Sequence, residues 1–458
     1  MFLSLHLTYF SSIRACILWI LAITISEATV LAQQKPAIIV LTDIGGDSDD
    51  EQSLVRLLLH SDQVDLKAIC ATSRLGHGHD TRPELIRNQI KAYGQVYPNL
   101  ILHSKTYPSP DYLESIVFDG KGDPEKFGEG YDTEASRAIV DIIDKESSLT
   151  YIVVWGGQRE LAQALWAARA VKSKEEMASF CKKIQVHAIG DQDKHRDWII
   201  DNFRDIRYVA SGFIFPGNFG LRQVATFRGM YMTGDVSMQD RKWVETNVHG
   251  HGPLSDLYPL DGHGTDGMKE GDSPSFLGLL INGLNIPDKP EWGGWGGRYR
   301  LLSGNLYIDA HDFMDGTLNE RHTVSRWRPA FQNAFCARLD WCTKSYAEAN
   351  HFPEVTLNGL SGNKPLEIQA KPGETLRFDA RRTTDPDGDK LSFRWLLYNE
   401  LSGGNTCIPI KTTAKGQKCA VKLPQTLPGN TVHLILEVTD NGTPNLTSYR
   451  RIVINTNP

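Results

Sequence analysis

From Ala37 to Val209 the chain repeats one pattern, a short apolar run followed by a longer amphipathic stretch. The apolar runs fall at 37–42, 66–71, 150–155, 184–189 and 206–210, and the amphipathic ones at 49–60, 82–96, 133–145, 158–171 and 194–204. Alternation of this kind restricts the chain to an α/β fold. Parallel strands need a long crossover between them, and a helix supplies it. The prediction is a mostly parallel sheet flanked by helices. Such a sheet gathers the loops after its strands on one edge, where open α/β sheets bind their ligands. Loops 43–50, 72–80, 155–160 and 190–195 meet there, so the active cleft is expected at that edge.

The first of these loops is the most unusual stretch of the chain. Asp43-Ile-Gly-Gly-Asp-Ser-Asp-Asp-Glu51 joins the apolar run Ala37–Leu41 to a helical pattern beginning near Gln52. Gly45 and Gly46 allow a sharp turn. Ser48 with Glu51 fits a capping box, which would start the helix at Asp49. Carboxylates at a helix N-terminus gain only about 0.3–1 kcal/mol each. Asp43, Asp47, Asp49 and Asp50 therefore repel one another more than the helix end attracts them, unless a cation sits among them. Hard cations such as Ca²⁺ take oxygen ligands of this type. The alternative is a solvated acidic loop with one capping aspartate.

Thr42-Asp43, two glycines, Asp49-Asp50 and Ser53-Leu54 together resemble the opening of the nucleoside hydrolase family, whose acidic turn holds calcium and ribose. A nucleoside hydrolase-like, cellulose-binding branch of that family is similar over nearly the whole chain. The similar stretches include Asp65–Thr72, Arg82–Arg87, Ala92–Pro98, Trp155–Gly157, Gly271–Phe276, Pro290–Arg298 and Arg326–Phe331. The resemblance implies a nucleoside hydrolase-like domain over 36–350 and a calcium-dependent hydrolase of N-glycosidic bonds in ribonucleosides or related ribosides. It implies calcium held by Asp43, Asp50, Asp272 and the Arg159 carbonyl, with Asp43 also as general base and Asp49 on the ribose hydroxyls. The chain departs from the family in three places. Leu41 stands where the family has its first aspartate, two extra residues precede Asp49, and Arg159-Glu160 replaces the usual Thr-Asn. The rival function is a non-catalytic carbohydrate-binding protein, such as one for cellulose, on the same fold.

From 211 to 329 the pattern loosens into a Gly-, Pro- and Trp-rich stretch, of the kind that forms lids and binding walls. Within it, Glu291-Trp-Gly-Gly-Trp-Gly-Gly-Arg298 offers Trp292 and Trp295 as faces for a sugar ring. The same pattern also suits core tryptophans in a tight turn. His263 is a further candidate for substrate contact.

Residues 353–458 change character, with period-two runs at 376–380, 391–398, 431–438 and 449–454. They read as an all-β immunoglobulin-like sandwich. Asp385-Pro-Asp-Gly-Asp389 within it is a turn set by Pro and Gly, or a weak calcium loop.

At the other end, residues 1–32 carry Arg14 before an apolar core too short to span a membrane comfortably. They read as a signal peptide, making the mature protein secreted or periplasmic without a stable membrane segment. Six cysteines follow, and Cys407–Cys419 and Cys336–Cys342 are the candidate disulfides. A net charge of -6 argues against nucleic acid as partner. The expected partner is a small riboside or carbohydrate, and a homo-oligomer is compatible with this reading.

Overall fold

The computed structural model describes residues 34–76, 80–262, 265–402, 408–426 and 429–456. Residues 1–32, read from the sequence as a signal peptide, lie outside the described residues, as do His263 and Cys407 and with them the pairing of Cys407 to Cys419.

Eight strands form the central sheet: β1 (Ala37–Thr42), β2 (Asp65–Ala71), β3 (Val117–Asp119), β4 (Thr150–Val154), β5 (Ile184–Ile189), β6 (Arg207–Ser211), β7 (Tyr299–Ser303) and β8 (Leu306–Asp309). Their order is β3-β2-β1-β4-β5-β6-β8-β7. All neighbours run parallel except β7 and β8, which form an antiparallel edge. β1 and β4 are buried throughout, as strands covered by helices on both faces must be. The chain runs outward from β1 to β2 and β3, then returns to place β4 on the other side of β1. That reversal is the switch point of the sheet, and the crevice outside β1 and β4 is the natural ligand position.

Helix α1 (Ser48–Leu59) follows β1, and α2 (Pro83–His103) follows β2. The expected capping box does not form. The helix starts at Ser48, whose hydroxyl donates instead to Asp261 at 3.3 Å, and Asp47 is the cap residue without a side-chain capping bond.

The C-terminal part is β-rich, as expected. A four-stranded sheet (366–369, 447–455, 431–439, 392–397) faces a three-stranded one (375–379, 418–422, 410–412). Its own core includes Phe378, Trp395, Leu434 and Ile452. It also shares a core with the α/β part: Ile435, Tyr398 and Tyr449 pack in one cluster with Trp295 and Phe331. Fully buried Arg451 ties the two together, donating to the carbonyls of Leu284 (2.9 Å) and Gly293 (2.8 Å). Cys336 and Cys342 are free thiols, against the expected local disulfide. Cys336 lies within the helix Arg328–Trp341 and Cys342 is its C-cap, where the Cys342 Sγ instead donates to the Arg338 carbonyl.

Candidate functional site

Asp43, Asp47, Asp49, Asp50 and Asp272 line one cavity of about 170 Å³ at the switch point, with Arg74, Trp155, Gln192, Arg228, Tyr231 and Lys269. Each strand of the inner sheet contributes through the loop that follows it. Asp43 follows β1, Arg74 follows β2, Trp155 follows β4 and Gln192 follows β5. Gly156 is what lets two of these loops meet: a Cβ there would stand 2.2 Å from Asp43 Oδ1. At Gly45 the backbone turns through φ +92°, in the left-handed region that favours glycine.

Helix α1 organises the opposite wall. Its first turn carries Asp49 and Asp50. One turn further, buried Gln52 accepts from the backbone N–H groups of Lys269 (2.8 Å) and Glu270 (3.0 Å) and donates to the carbonyls of Pro259 (2.8 Å) and Gly267 (3.0 Å). Arg56 then pairs with Glu270 through two bonds of 2.5 and 2.9 Å, with both side chains fully buried. Helix α1 thus presents two carboxylates and fixes the loop that brings Lys269 and Asp272 to them. Trp155 completes the frame, its indole N–H donating to Ser275 Oγ at 2.9 Å while that hydroxyl donates to the Asp272 carbonyl at 2.6 Å.

One oxygen from each of Asp49, Asp50 and Asp272 lies within 4.8 Å of the others. The Thr42 hydroxyl donates to Asp50 Oδ1, and Asp272 Oδ2 is buried with no hydrogen-bond partner among the described residues. Burial, and then the crowding of neighbouring carboxylates, holds Asp50 and Asp272 well above the usual carboxylate range. Burial also pushes Asp49 up to about 6, against the opposing pull of Lys269.

Asp43 lines the cavity but takes a different partner from the one expected: Arg74 Nε lies 2.6 Å from its Oδ2. Lys269 lies 2.6 Å from Asp47 and 3.6 Å from Asp49. Burial lowers the Lys269 pKa, but Asp49 and Asp47 outweigh it and raise the ammonium to about 12. Asp47 is therefore neutralised by a side chain, and Asp49 stands in the carboxylate group beside Asp50. Arg74 and Lys269 were not singled out from sequence. The only sequence signals were Arg74's place in the loop after β2 and Lys269's place three residues before Asp272.

Three expected site residues lie elsewhere. Arg159 is the first residue of the helix Arg159–Val171, so its carbonyl serves the helix's own i to i+4 bond. Its guanidinium leads away, to the carbonyls of Lys126 (2.7 Å) and Tyr131 (2.5 Å). Trp295 is 2% exposed, with its ring edge-on to Phe331 and Tyr449. Trp292 meets His433 edge-on, with Lys289 and Arg451 over its face. The Trp-rich turn therefore joins the two parts of the molecule and does not wall the cavity. Its glycines serve the same packing: a Cβ at Gly293 would stand 2.6 Å from the Tyr398 hydroxyl.

Residues 37–299 match the family described as cellulose-binding Sde182, nucleoside hydrolase-like domain, and residues 375–456 match the cellulose-binding protein Sde0182, C-terminal domain. A nucleoside hydrolase-related hypothetical protein from Saccharophagus degradans, described as associated with carbohydrate metabolism, is 30% identical. The match covers 92% of this chain and 100% of that one with a TM-score of 0.79. The type III effector XopQ, solved with adenosine diphosphate ribose, is 10% identical over 68% of this chain and 95% of its own, with a TM-score of 0.37. Protocadherin gamma C5 is 22% identical over 23% of this chain and 33% of its own, with a TM-score of 0.16. No curated protein matches the chain. Matched across most of the α/β part, again in the sandwich, and along the length of the Saccharophagus protein, the chain belongs to the cellulose-binding, nucleoside hydrolase-like family.

Proposed function

We propose that this protein is a calcium-dependent hydrolase of N-glycosidic bonds in ribonucleosides or related ribosides. The observation that carries the reading is the convergence of Asp49, Asp50 and Asp272 beside Asp43 in one small polar cavity. Three carboxylates with a buried, unpartnered oxygen on Asp272 are a donor set suited to a hard cation. Asp49, Asp50 and Asp272 would hold Ca²⁺, in place of the set containing Asp43 and the Arg159 carbonyl. Bound there, the ion would supply charge stabilisation and lower the pKa of a coordinated water. The rest of the chemistry falls to the chain. Asp43 is oriented by Arg74 and takes a proton from the attacking water as general base while the N-glycosidic bond breaks, and the departing nitrogen takes up a proton from solvent, so that water is added across the bond. Carboxylates around the sugar stabilise the positive charge that develops at the anomeric carbon. Arg228, Tyr231 and Lys269 give the cavity its N–H and O–H donors.

The test is a screen of ribonucleosides and other N-ribosides with calcium-loaded protein, beside Asp43→Asn. Loss of the general base predicts a drop of roughly 10²–10⁴-fold. Absence of calcium binding at millimolar concentration would refute the metal assignment.

One contact favours a second reading, a carbohydrate-binding protein without catalysis. Arg74 on Asp43 occupies the base that the reaction needs, and Leu41 is buried in the core where the family has a carboxylate. If calcium-loaded protein cleaves no riboside yet is retained on cellulose, the second reading replaces the first.

A further inference from the structure

Far from the cavity in sequence, three loops meet at one end of the sandwich: residues 350–354, 384–390 and 440–446. Backbone bonds between Glu354 and Thr384 stitch the first to the second, and Lys390 N–H donates to Asn441 Oδ1 at 2.7 Å to stitch the second to the third. Asn350 Nδ2 donates to Asp440 Oδ1 (3.1 Å) and to the Pro444 carbonyl (2.8 Å), closing the triangle.

Two carboxylates in this junction share an unusual pattern. Asp440 is 4% exposed. Its Oδ1 accepts from Asn350 and from the N–H groups of Gly442 (3.0 Å) and Leu446 (2.9 Å). Asp385 Oδ1 accepts from the N–H groups of Asp387 (2.9 Å) and Asp389 (3.0 Å). In each case the second oxygen, Oδ2, is buried and receives no hydrogen bond from the described residues. Neither carboxylate has an ion-pair partner among those residues. The neighbouring Asp387 is already engaged, by the backbone N–H of His351 at 2.7 Å and by its ring at 3.0 Å. Asp385 and Asp440 also repel: burial raises the Asp440 pKa first, and the Asp385 charge adds to it. A buried polar group left without a partner bears its desolvation penalty uncompensated, and the penalty is larger when the group is charged. Two such oxygens on adjoining loops are a standing cost that a cation would remove.

We infer that Asp385 and Asp440 bind one hard divalent cation through their Oδ2 atoms, a site distinct from the acidic cavity. Two carboxylates match a divalent charge, and Ca²⁺ completes its six to eight oxygen ligands with carbonyls and water. The ion joins the 384–390 turn to the 440–446 loop. Through Asn350 it also fixes the segment by which the chain leaves the α/β part.

The experiment is calcium titration of chelator-treated full-length protein by calorimetry, in wild type, Asp440→Asn and Asp385→Asn. Asparagine keeps the Oδ1 acceptor of either residue and removes the charge. Each variant is expected to bind one calcium fewer per chain than wild type. Metal-free Asp440→Asn should melt no lower than metal-free wild type, because the like-charge repulsion is gone, and its melting point should rise less with calcium. Circular dichroism confirms the fold, and if Asp440→Asn does not fold, Asp385→Asn on the other loop decides. Equal calcium stoichiometry and affinity in wild type and the folded variant would overturn the site.

Discussion

Replacing Arg56 with Met tests whether α1 and the Asp272 loop are held together electrostatically. Arg56 and Glu270 are both fully buried and joined by two bonds. Glu270 also accepts from the Tyr258 hydroxyl at 2.7 Å and the Ser273 hydroxyl at 2.6 Å. Arg56 reaches Gln332 Oε1 at 2.8 Å and lies 3.9 Å over the Phe335 ring. Methionine keeps much of the apolar stem and removes the charge. Glu270 is then buried without its cation, at a cost of roughly 3–5 kcal/mol. The Gln332 oxygen loses its donor, adding about 1–3 kcal/mol. The hydroxyls of Tyr258 and Ser273 still solvate Glu270, which holds the total to about 4–6 kcal/mol. Set against a typical stability of about 5–15 kcal/mol, that is a large loss. Adding Glu270→Gln removes the stranded charge; the amide oxygen keeps the Tyr258 bond and the amide N–H donates to the Ser273 hydroxyl in place of accepting from it, so the double variant should recover about 2 kcal/mol or more over Arg56→Met alone. Urea unfolding followed by tryptophan fluorescence measures both. If Arg56→Met costs less than about 1 kcal/mol, or Glu270→Gln adds its own cost within about 0.5 kcal/mol of additivity, the ion pair does not hold the wall.

Three further outcomes are expected. Asp49, raised by burial from 3.8 to about 6, binds more protons in the folded than in the unfolded chain between those values, so metal-free protein should lose stability as pH rises through that window; thermal melts from pH 4 to 7 with chelator measure it. Calcium affinity should change the opposite way, weakening as pH falls through about 6, and titrations at pH 5 and 7.5 would show it. Trp295→Ala should cost about 3–5 kcal/mol in unfolding experiments while leaving riboside affinity unchanged, because the ring fills the junction between the two parts and does not line the cavity.

What the sequence disclosed, and what it withheld, divides along one physical line. Strands and helices of the inner sheet were legible because their signal is local: β1 and β4 are apolar runs broken only by a terminal threonine, β5 is apolar apart from Gln185 and His187, and the helices between them carry a 3.6-residue period. The edge on which the cavity lies followed from chain topology alone, since parallel strands must send their following loops to the same side. Side-chain partnerships carry no such period. Asp43 and Arg74 are both visible as residues, but their contact depends on β2 lying beside β1 and on Gly156 leaving room for the carboxylate. Lys269 reaches Asp47 only because Gln52 and Arg56 anchor its loop to α1 from more than two hundred residues away in sequence. The Trp292–Trp295 turn failed for the same reason. Glycines beside aromatics mark close approach of backbone to a ring, but not what makes the approach, and here Tyr398, Asn285 and Tyr449 make it rather than a sugar. The acidic turn stands between these cases. Its carboxylates had to be balanced by positive charge, and the balance is divided: Arg74 and Lys269 take Asp43 and Asp47, while Asp49, Asp50 and Asp272 remain grouped. That division sets the order in which the acids should fail when removed. Asp47→Asn deletes a carboxylate already neutralised at the rim and should leave calcium affinity within a few-fold of wild type. Asp272→Asn deletes a buried member of the group and should bind one calcium fewer per chain than wild type, which equilibrium dialysis resolves. Equal losses in the two variants would show that the side-chain cations do not partition the site.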